Sequence, residues 1–352
     1  MLENLSVLAI VPKAKAIGAE RLTGEEYHAL MRKRSVIEIV AALQTHPYFK
    51  KSLGGLSQTS IHREQLEQAL SRDIFFKYES LMRYSFRKNH FGSFFIVKCE
   101  INEILAKMKL VSMGLTEKYI VKLPGFLTSK TSFNLIALAQ ATTPEQCEKV
   151  LFGTPYAKIL HSVLPKNGEM LDYLMCEHAF LSYYYAFALK KVDEDLSGSA
   201  AKETKSLFVR EAEIYNLDII YRAKAFFSKE FTPDKIKRLL LPVYDKLSHK
   251  QLMAMADARD LSAFLQMYNG GRAKRHYGEF SARPEMSTDI AGRRSLYKAA
   301  DKLLHFSSSP RTVLAALLFL AELERSNIVT VIEGVRYALP PEQIEGYLCN
   351  RL

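Results

Sequence analysis

Apolar residues recur along the chain at intervals of three and four positions, and alternation at intervals of two is scarce. Val313, Leu317 and Leu320 illustrate the pattern near the C-terminus. This spacing places side chains on one face of an α-helix, whereas a half-buried strand requires strict alternation. The pattern therefore predicts an all-α fold.

Helix-start signals divide the sequence into many helices. Thr23 precedes GEEYHALM, Thr143-Pro144 opens EQCEKVLF, and Pro340-Pro341 opens EQIEGYL. Threonine is a good N-cap residue and proline is favoured in the first helical turn, so helices are expected to begin at these points.

One stretch differs in composition from the rest. Residues 190–205, KKVDEDLSGSAAKETK, contain charged residues, glycine and serine in place of aromatic residues. This composition is typical of loops. We expect a long loop between two helices here, and not a linker between domains.

A repeat of about 110 residues runs through the chain. EINEILAKMKLV starts at Glu100, EIYNLDIIYRAK at Glu213 and ERSNIVTVIEGV at Glu324, and the three align without gaps at spacings of 113 and 111 residues. Upstream, THPYFKKSL around Pro47 matches GTPYAKIL around Pro155 at a spacing of 108. A fixed period of this kind indicates repeated structural units. We therefore predict three similar helical repeats: residues 1–127, 128–245 and 246–352.

Each aligned segment begins with a glutamate at the head of an apolar helical stripe. A carboxylate in this position is expected to be buried and to need a partner, because an unpaired buried charge costs several kcal/mol. The residue three positions later lies beside it on the helix: Asn216 and Asn327 are candidate partners, whereas Glu103 takes this place in the first repeat and departs from the pattern. Arg222, Arg336 or an arginine from a neighbouring helix could supply positive charge.

The three glutamates admit two interpretations. They could form a proton relay or a metal cluster, or they could fix the packing and register of each repeat. Identical placement in all three repeats favours the structural role, since a catalytic site seldom needs three copies. The repeat-motif residues Glu100, Glu213 and Glu324 are therefore predicted to be structural.

Net charge indicates anionic partners without choosing among them. The chain carries a formal charge of +11 and has a pI near 9.3, which suits nucleic acid, acidic lipid headgroups or an acidic protein surface. The densest basic segment runs over residues 270–294. Within it, Arg272, Lys274 and Arg275 are our candidate interface patch.

Motifs for common enzyme chemistry are missing from the sequence. It contains no G-x-x-x-x-G-K-[ST], G-x-S-x-G or H-E-x-x-H, and its four cysteines form no C-x-x-C pair. Cys176 and His178 are close in sequence but would diverge on a helix, so no metal site is predicted. Neither a signal peptide nor an apolar run of the ~20 residues that span a bilayer is present. We expect a reduced, cytoplasmic chain without a cofactor.

Two segments and the repeat together carry a family resemblance. ELERSNIVTVIEGVRYALPPEQI, residues 322–344, and EAEIYNLDIIYRAKAF, residues 211–226, resemble the AC39-type subunit of V-type and archaeal-type ATPases, also known as their C or d subunit. The similarity spans nearly the whole chain. The resemblance implies three helical units in a funnel-like, pseudo-threefold arrangement.

The resemblance also implies a function. Members of this family are non-catalytic central-stalk subunits that link the D- and F-type shaft subunits to the membrane proteolipid ring. They transmit torque for ion transport or ATP synthesis, and they are peripheral on the cytoplasmic face of the membrane. No nucleic acid and no small-molecule substrate would be bound.

Two other classes of function remain as alternatives. A basic helical nucleic-acid-binding protein would gather its positive charge in one groove beside stacking aromatic side chains. An enzyme with an unrecognised helical site would bring titratable groups together in one pocket, but the sequence offers only dispersed ones.

Overall fold

A computed structural model describes residues 7–56, 63–84, 91–121, 123–165, 169–280 and 288–350. Within these ranges the regular structure is helical and contains no strand, which confirms the all-α prediction. The helices are α1 Ile10–Ala19, α2 Gly24–Met31, α3 Val36–Thr45, α4 Lys50–Leu53, α5 Arg63–Met82, α6 Ser93–Ser112, α7 Lys118–Val121, α8 Leu135–Gln140, α9 Pro144–Val150, α10 Pro155–Val163, α11 Tyr173–Asp195, α12 Gly198–Phe226, α13 Pro233–Leu239, α14 His249–Asp257, α15 Leu261–Gly270, α16 Arg272–Tyr277, α17 Thr288–Phe306, α18 Pro310–Arg336 and α19 Pro341–Gly346, with a 3₁₀ turn at Gly125–Leu127.

The predicted helix starts are confirmed by their caps. Thr23 accepts a hydrogen bond from the backbone N–H of Glu26, and the Glu26 carboxylate accepts the N–H of Thr23 at 2.8 Å, which completes a capping box. Thr143 caps α9, and Pro341 opens α19. These starts depend on residues within four positions of one another, so the local sequence is enough to predict them.

The larger of two compact units contains both ends of the chain. It comprises Met1–Asn89, Leu196–Ile236 and Tyr244–Leu352. Helix α18 lies in its core and packs against α1, α5 and α17, while α17 also packs against α12. Gly292 on α17 permits this second contact, because a Cβ atom there would lie 2.7 Å from Ile214 of α12.

The smaller compact unit comprises His90–Asp195 and Lys237–Val243. Helix α6 packs along α11, and α10 covers another side of α11. Aromatic side chains fill this core: Tyr156 meets Phe133 edge-on at 6.1 Å between ring centroids, and Phe180 is fully buried.

The three-repeat division stays a prediction. The compact units reflect which helices pack together, whereas the repeat concerns the register of the sequence. The two compact units therefore do not test the predicted division into three repeats.

The long loop predicted for residues 190–205 is wrong. Helix α11 continues to Asp195 and α12 begins at Gly198, so only two residues separate them. Lysine, glutamate and alanine are good helix formers, and Glu194 pairs with both Lys190 and Lys191 at 3.7 and 2.5 Å. Gly198 supplies the turn with a φ of +61°. The polar composition belongs to solvated helix ends and not to a loop.

Candidate functional site

Glu213 is the best-satisfied of the three repeat glutamates. Its side chain on α12 is completely buried. One carboxylate oxygen accepts the backbone N–H groups of Asp245 and Leu247 at 2.7 and 3.0 Å, and the other accepts the phenol of Tyr277. Burial and the Glu213 charge raise the pKa of Tyr277, so the phenol stays protonated and donates. Three donors thus converge on one buried carboxyl group.

Glu100 on α6 is held in the same manner. It is 3% exposed, and it accepts the backbone N–H of Ser132 through one oxygen. The phenol of Tyr156 donates to the other oxygen at 2.5 Å. Burial and the neighbouring carboxylate raise the pKa of Tyr156 as well.

Glu324 on α18 differs from the other two in lying beside an arginine. It accepts the N–H of Leu22 at 3.1 Å, and burial raises the pKa of its carboxyl group to about 7 against the opposing charge of Arg21. Arg21 itself is held by Asp301 at 2.7 Å. The buried phenol of Tyr27 lies close enough for Glu324, together with burial, to raise the pKa of Tyr27.

The backbone donors all lie within three residues before the N-cap of a following helix. Ser132 lies just before Asn134, the N-cap of α8; Leu247 precedes Ser248, the N-cap of α14; and Leu22 precedes Thr23, the N-cap of α2. The repeat glutamates thus join each long helix to the start of another helical segment. We call these three contacts the carboxylate links.

The carboxylate links follow a cyclic order along the chain. Glu100 of the first predicted repeat contacts residues of the second, Glu213 of the second contacts the third, and Glu324 of the third contacts the first. The last contact spans 302 residues of sequence. In terms of the predicted repeats, each is therefore hydrogen-bonded to the next, and the last to the first.

Two of the residues that lie three positions after the repeat glutamates have hydrogen-bond partners of their own. Glu103 accepts the phenol of Tyr119 at 2.6 Å, and burial raises its pKa to about 7. Asn327 accepts the N–H of Cys349 at 2.8 Å and donates to Asn350 at 2.7 Å. Glu103 and Asn327 therefore hydrogen-bond to the segments that follow their own helices, and they do not act as donors to the repeat glutamates. Asn216 is fully buried.

The arginines named from the sequence also pair elsewhere. Arg222 bridges Asp218 at 2.7 Å, and Arg336 lies 3.8 Å from Glu333. The expectation that Arg222 or Arg336 supplies charge to the repeat glutamates is wrong, whereas the alternative of an arginine from a neighbouring segment holds at Glu324, where Arg21 supplies opposing charge.

Sequence reasoning did not identify the tyrosine donors, although the repeat contained a signal. Tyr156 and Tyr48 occupy equivalent places in the matching segments GTPYAKIL and THPYFKKSL. Tyr48 is buried, burial and the Glu324 charge raise its pKa, and the Lys77 ammonium sits 3.4 Å from its ring centroid. An aromatic residue repeated in register with a buried acid is the pattern to look for.

The other predicted positions can be placed as follows. Cys176 is buried, and His178 lies 3.2 Å from the carbonyl oxygen of Leu240. In the described ranges, no group of histidine, cysteine, aspartate or glutamate side chains could hold a metal ion. Among the same residues, no helix has the length and hydrophobicity needed to cross a bilayer.

The basic patch is built on helix α16. Arg272 and Arg275 are exposed, whereas Lys274 pairs with Glu279 at 3.0 Å. The same helix carries Tyr277, so the carboxylate link at Glu213 anchors the patch. Residues 281–287 of the basic segment lie outside the described residues.

Comparison with known proteins assigns the chain to a family. Residues 10–347 match the family model described as ATP synthase (C/AC39) subunit, and this range contains all three carboxylate links. The chain belongs to the ATP synthase (C/AC39) family. The resemblance drawn from two segments and the repeat is confirmed.

Two relatives of this C/AC39-family chain are both named as the C subunit of an A-type ATP synthase. The protein from Methanosphaera stadtmanae is 30% identical over 128 residues, which is 36% of this chain and 32% of the relative. The protein from Thermococcus onnurineus is 25% identical over 256 residues, 69% of this chain and 64% of the relative. The chain thus spans about a third and just under two thirds of these relatives' lengths.

Proposed function

We propose that this C/AC39-family chain is a non-catalytic central-stalk subunit of an A/V-type rotary ATPase. In this role it links the shaft subunits to the membrane proteolipid ring and passes torque between them. The observation that carries the proposal is the set of carboxylate links, which recur in cyclic order across a family match that covers nearly the whole chain.

The carboxylate links suit a protein that must resist twisting. A hydrogen bond to a charged group contributes about 1.5–3 kcal/mol, and breaking it inside a core leaves an uncompensated charge. Torque applied between two repeats would have to break such contacts. The cyclic order supports a closed, pseudo-threefold arrangement of the repeats, in which load is shared instead of concentrated at one end.

Exposed apolar side chains recur in the same register and support contact with protein partners. Met113, Phe226 and Tyr337 each lie thirteen positions after a repeat glutamate, at the end of α6, α12 and α18. Their side chains are 59%, 64% and 67% exposed. Folding does not require a large apolar side chain to be exposed at the end of a helix. The recurrence of such side chains at three equivalent positions therefore favours contact with another protein. We assign these positions to contact with the proteolipid ring.

A peripheral position on the cytoplasmic face completes the proposal. The net charge of +11 favours a location beside anionic lipid headgroups. Ion translocation and ATP chemistry would take place in other subunits, and this chain would couple them.

Affinity purification tests the proposal. The tagged chain is expressed in its native cell, extracted from membranes in mild detergent, and captured for mass spectrometry. Recovery of shaft and proteolipid subunits is the expected result. Capture of nucleic acid without these subunits would instead indicate the basic nucleic-acid-binding alternative, and the salt dependence of that binding would then be measured.

A matched set of variants tests the ring contact. Serine replaces Met113, Phe226 and Tyr337 together, and the control replaces Phe152 and Phe306, which are 87% and 82% exposed but lie outside this register. The first set should lower recovery of proteolipid subunits, and the control set should not. Equal recovery with both sets would contradict the assignment.

A further inference from the structure

A groove in the larger compact unit lies between α14, α15 and the start of α16. Its volume is about 480 Å³. Ala254, Met255 and Met267 contribute its apolar part, and Lys250 and Arg272 stand on its rim. We call this feature the methionine groove. It is large enough for a few side chains of a partner, and it is far too small for a folded domain.

Charge on the rim of the methionine groove is entirely positive. Lys250 and Arg272 are exposed, neither has an ion-pair partner among the described residues, and the lining contains no carboxylate. Arg275, one helical turn beyond Arg272, is also exposed. An apolar channel with unneutralised cations on its rim is complementary to an apolar segment that carries acidic residues.

The helices that line the groove begin at well-defined caps and turns. Ser248 and Gln251 form a capping box at the start of α14, and Asp260 caps α15 at 2.8 Å. Gly271 allows the turn into α16, because a Cβ atom there would lie 2.8 Å from the carbonyl oxygen of Met267. Tyr277, at the far end of α16, is fixed by Glu213. The site therefore needs little reorganisation to bind a partner.

Methionine makes the groove adaptable. Met267 is 39% exposed, whereas Met255 is buried. Unbranched thioether side chains fill irregular gaps and occur at surfaces that accept helices. The lining contains no aromatic residue on which a nucleic-acid base could stack.

We propose that the methionine groove binds an amphipathic helix of a neighbouring protein subunit. The apolar face of that helix packs on Met255 and Met267, and its aspartate or glutamate residues pair with Lys250 and Arg272. The identity of the neighbour as a rotary-ATPase subunit rests on the proposed function, whereas the chemistry of the helix follows from the groove.

Site-specific photo-crosslinking in the assembled complex tests this inference. A photoreactive amino acid is placed at Met267 of the full chain, and the matched control is placed at Tyr244, which is also 39% exposed but lies outside the groove. The Met267 probe should capture one peptide that combines apolar and acidic residues at helical spacing. Capture of lipid, of a peptide without acidic residues, or of the same peptide at Tyr244 would overturn the proposal.

Charge reversal supplies a second measurement. Lys250→Glu with Arg272→Glu should lower the crosslink yield at Met267 by about tenfold or more, because like charges would then face each other across the rim. The control is Arg259→Glu, an 88% exposed position that pairs with neighbouring Asp260 and is not part of the groove lining. Helix content by circular dichroism shows that each variant folds. An unchanged yield in the double variant would contradict the rim pairing.

The two proposals fail in different ways. If the wild-type chain recovers no ATPase subunits while Met267 still captures an acidic amphipathic helix, the proposed function is wrong and the groove inference holds. If ATPase subunits are recovered but charge reversal leaves the Met267 crosslink unchanged, only the groove inference is wrong.

Discussion

Replacing Glu213 with alanine should damage the protein more than any exposed acidic substitution. Three donors converge on this side chain, namely the N–H groups of Asp245 and Leu247 and the phenol of Tyr277. Alanine cannot accept from any of them, and the site is closed to solvent. Each donor is therefore left inside the core without its acceptor.

The loss of unfolding free energy can be estimated from the number of donors that are left without an acceptor. A buried polar group without a partner costs about 1–3 kcal/mol, although loss of the buried charge offsets part of the sum. We expect Glu213→Ala to lower the free energy of unfolding by about 3–5 kcal/mol. Glu213→Gln keeps an acceptor for the backbone N–H groups and should cost about 1–2 kcal/mol.

Urea unfolding followed by far-ultraviolet circular dichroism measures both changes. The control is Glu230→Ala, an exposed carboxylate just beyond α12, which should change stability by less than about 0.5 kcal/mol. The account would be refuted if Glu213→Ala and Glu230→Ala were equally mild. It would also be refuted if Glu213→Gln lost as much stability as Glu213→Ala, because the side-chain oxygen that accepts the backbone N–H groups would then not contribute to stability.

Three further variants test separate parts of the structure. Burial raises the pKa of Glu324 from 4.5 to about 7. The folded state therefore keeps this proton to a higher pH than the unfolded state does, and the protein loses stability as the pH rises between these two values. Glutamine does not titrate, so the free energy of unfolding of Glu324→Gln, measured by urea titration, should rise relative to that of the wild type by up to about 3 kcal/mol over this pH range. A difference between the two proteins that does not change with pH would contradict this prediction. Lys107→Met should cost about 1–3 kcal/mol by the same assay, because the buried Ala139 carbonyl loses its donor at 2.9 Å; no loss would show that the contact is dispensable. Gly292→Ala should lower the melting temperature by overpacking, whereas Gly346→Ala, with open space around it, should not; equal effects would exclude the close approach.

Local features of the structure could be predicted from the sequence because their causes are local. The helix start at Thr23 depends on Glu26 three positions away. Burial of Glu100 and Glu324 follows from the apolar stripes behind them, in which Ile104 and Ile328 are fully buried. Alignment of the three repeat segments is enough to identify these positions.

Contacts between distant segments could not be predicted in the same way. The donors to Glu213 lie 32 to 64 residues along the chain, and Leu22 lies 302 residues from Glu324. Helical periodicity shows which face is buried, but not what covers it. Arg21 supplies opposing charge at Glu324, whereas backbone N–H groups and phenols satisfy Glu100 and Glu213, which residue spacing alone does not reveal.

The loop error at residues 190–205 has a related cause. Composition was used to predict a loop, yet the same lysines and glutamates form pairs along a solvated helix. Only Gly198, with its positive φ, marks the turn. A charged stretch with good helix formers is better treated as helix until a glycine or proline ends it.

The most direct test of the central claim is ATP-driven charging of membrane vesicles. Vesicles carrying the ATPase are prepared with and without this chain, and a voltage-sensitive dye reports the membrane potential, so the transported ion need not be known. The account predicts that vesicles without the chain hydrolyse ATP but develop no potential, and that adding the purified chain restores it. An equal potential with and without the chain would show that it does not couple the shaft to the ring.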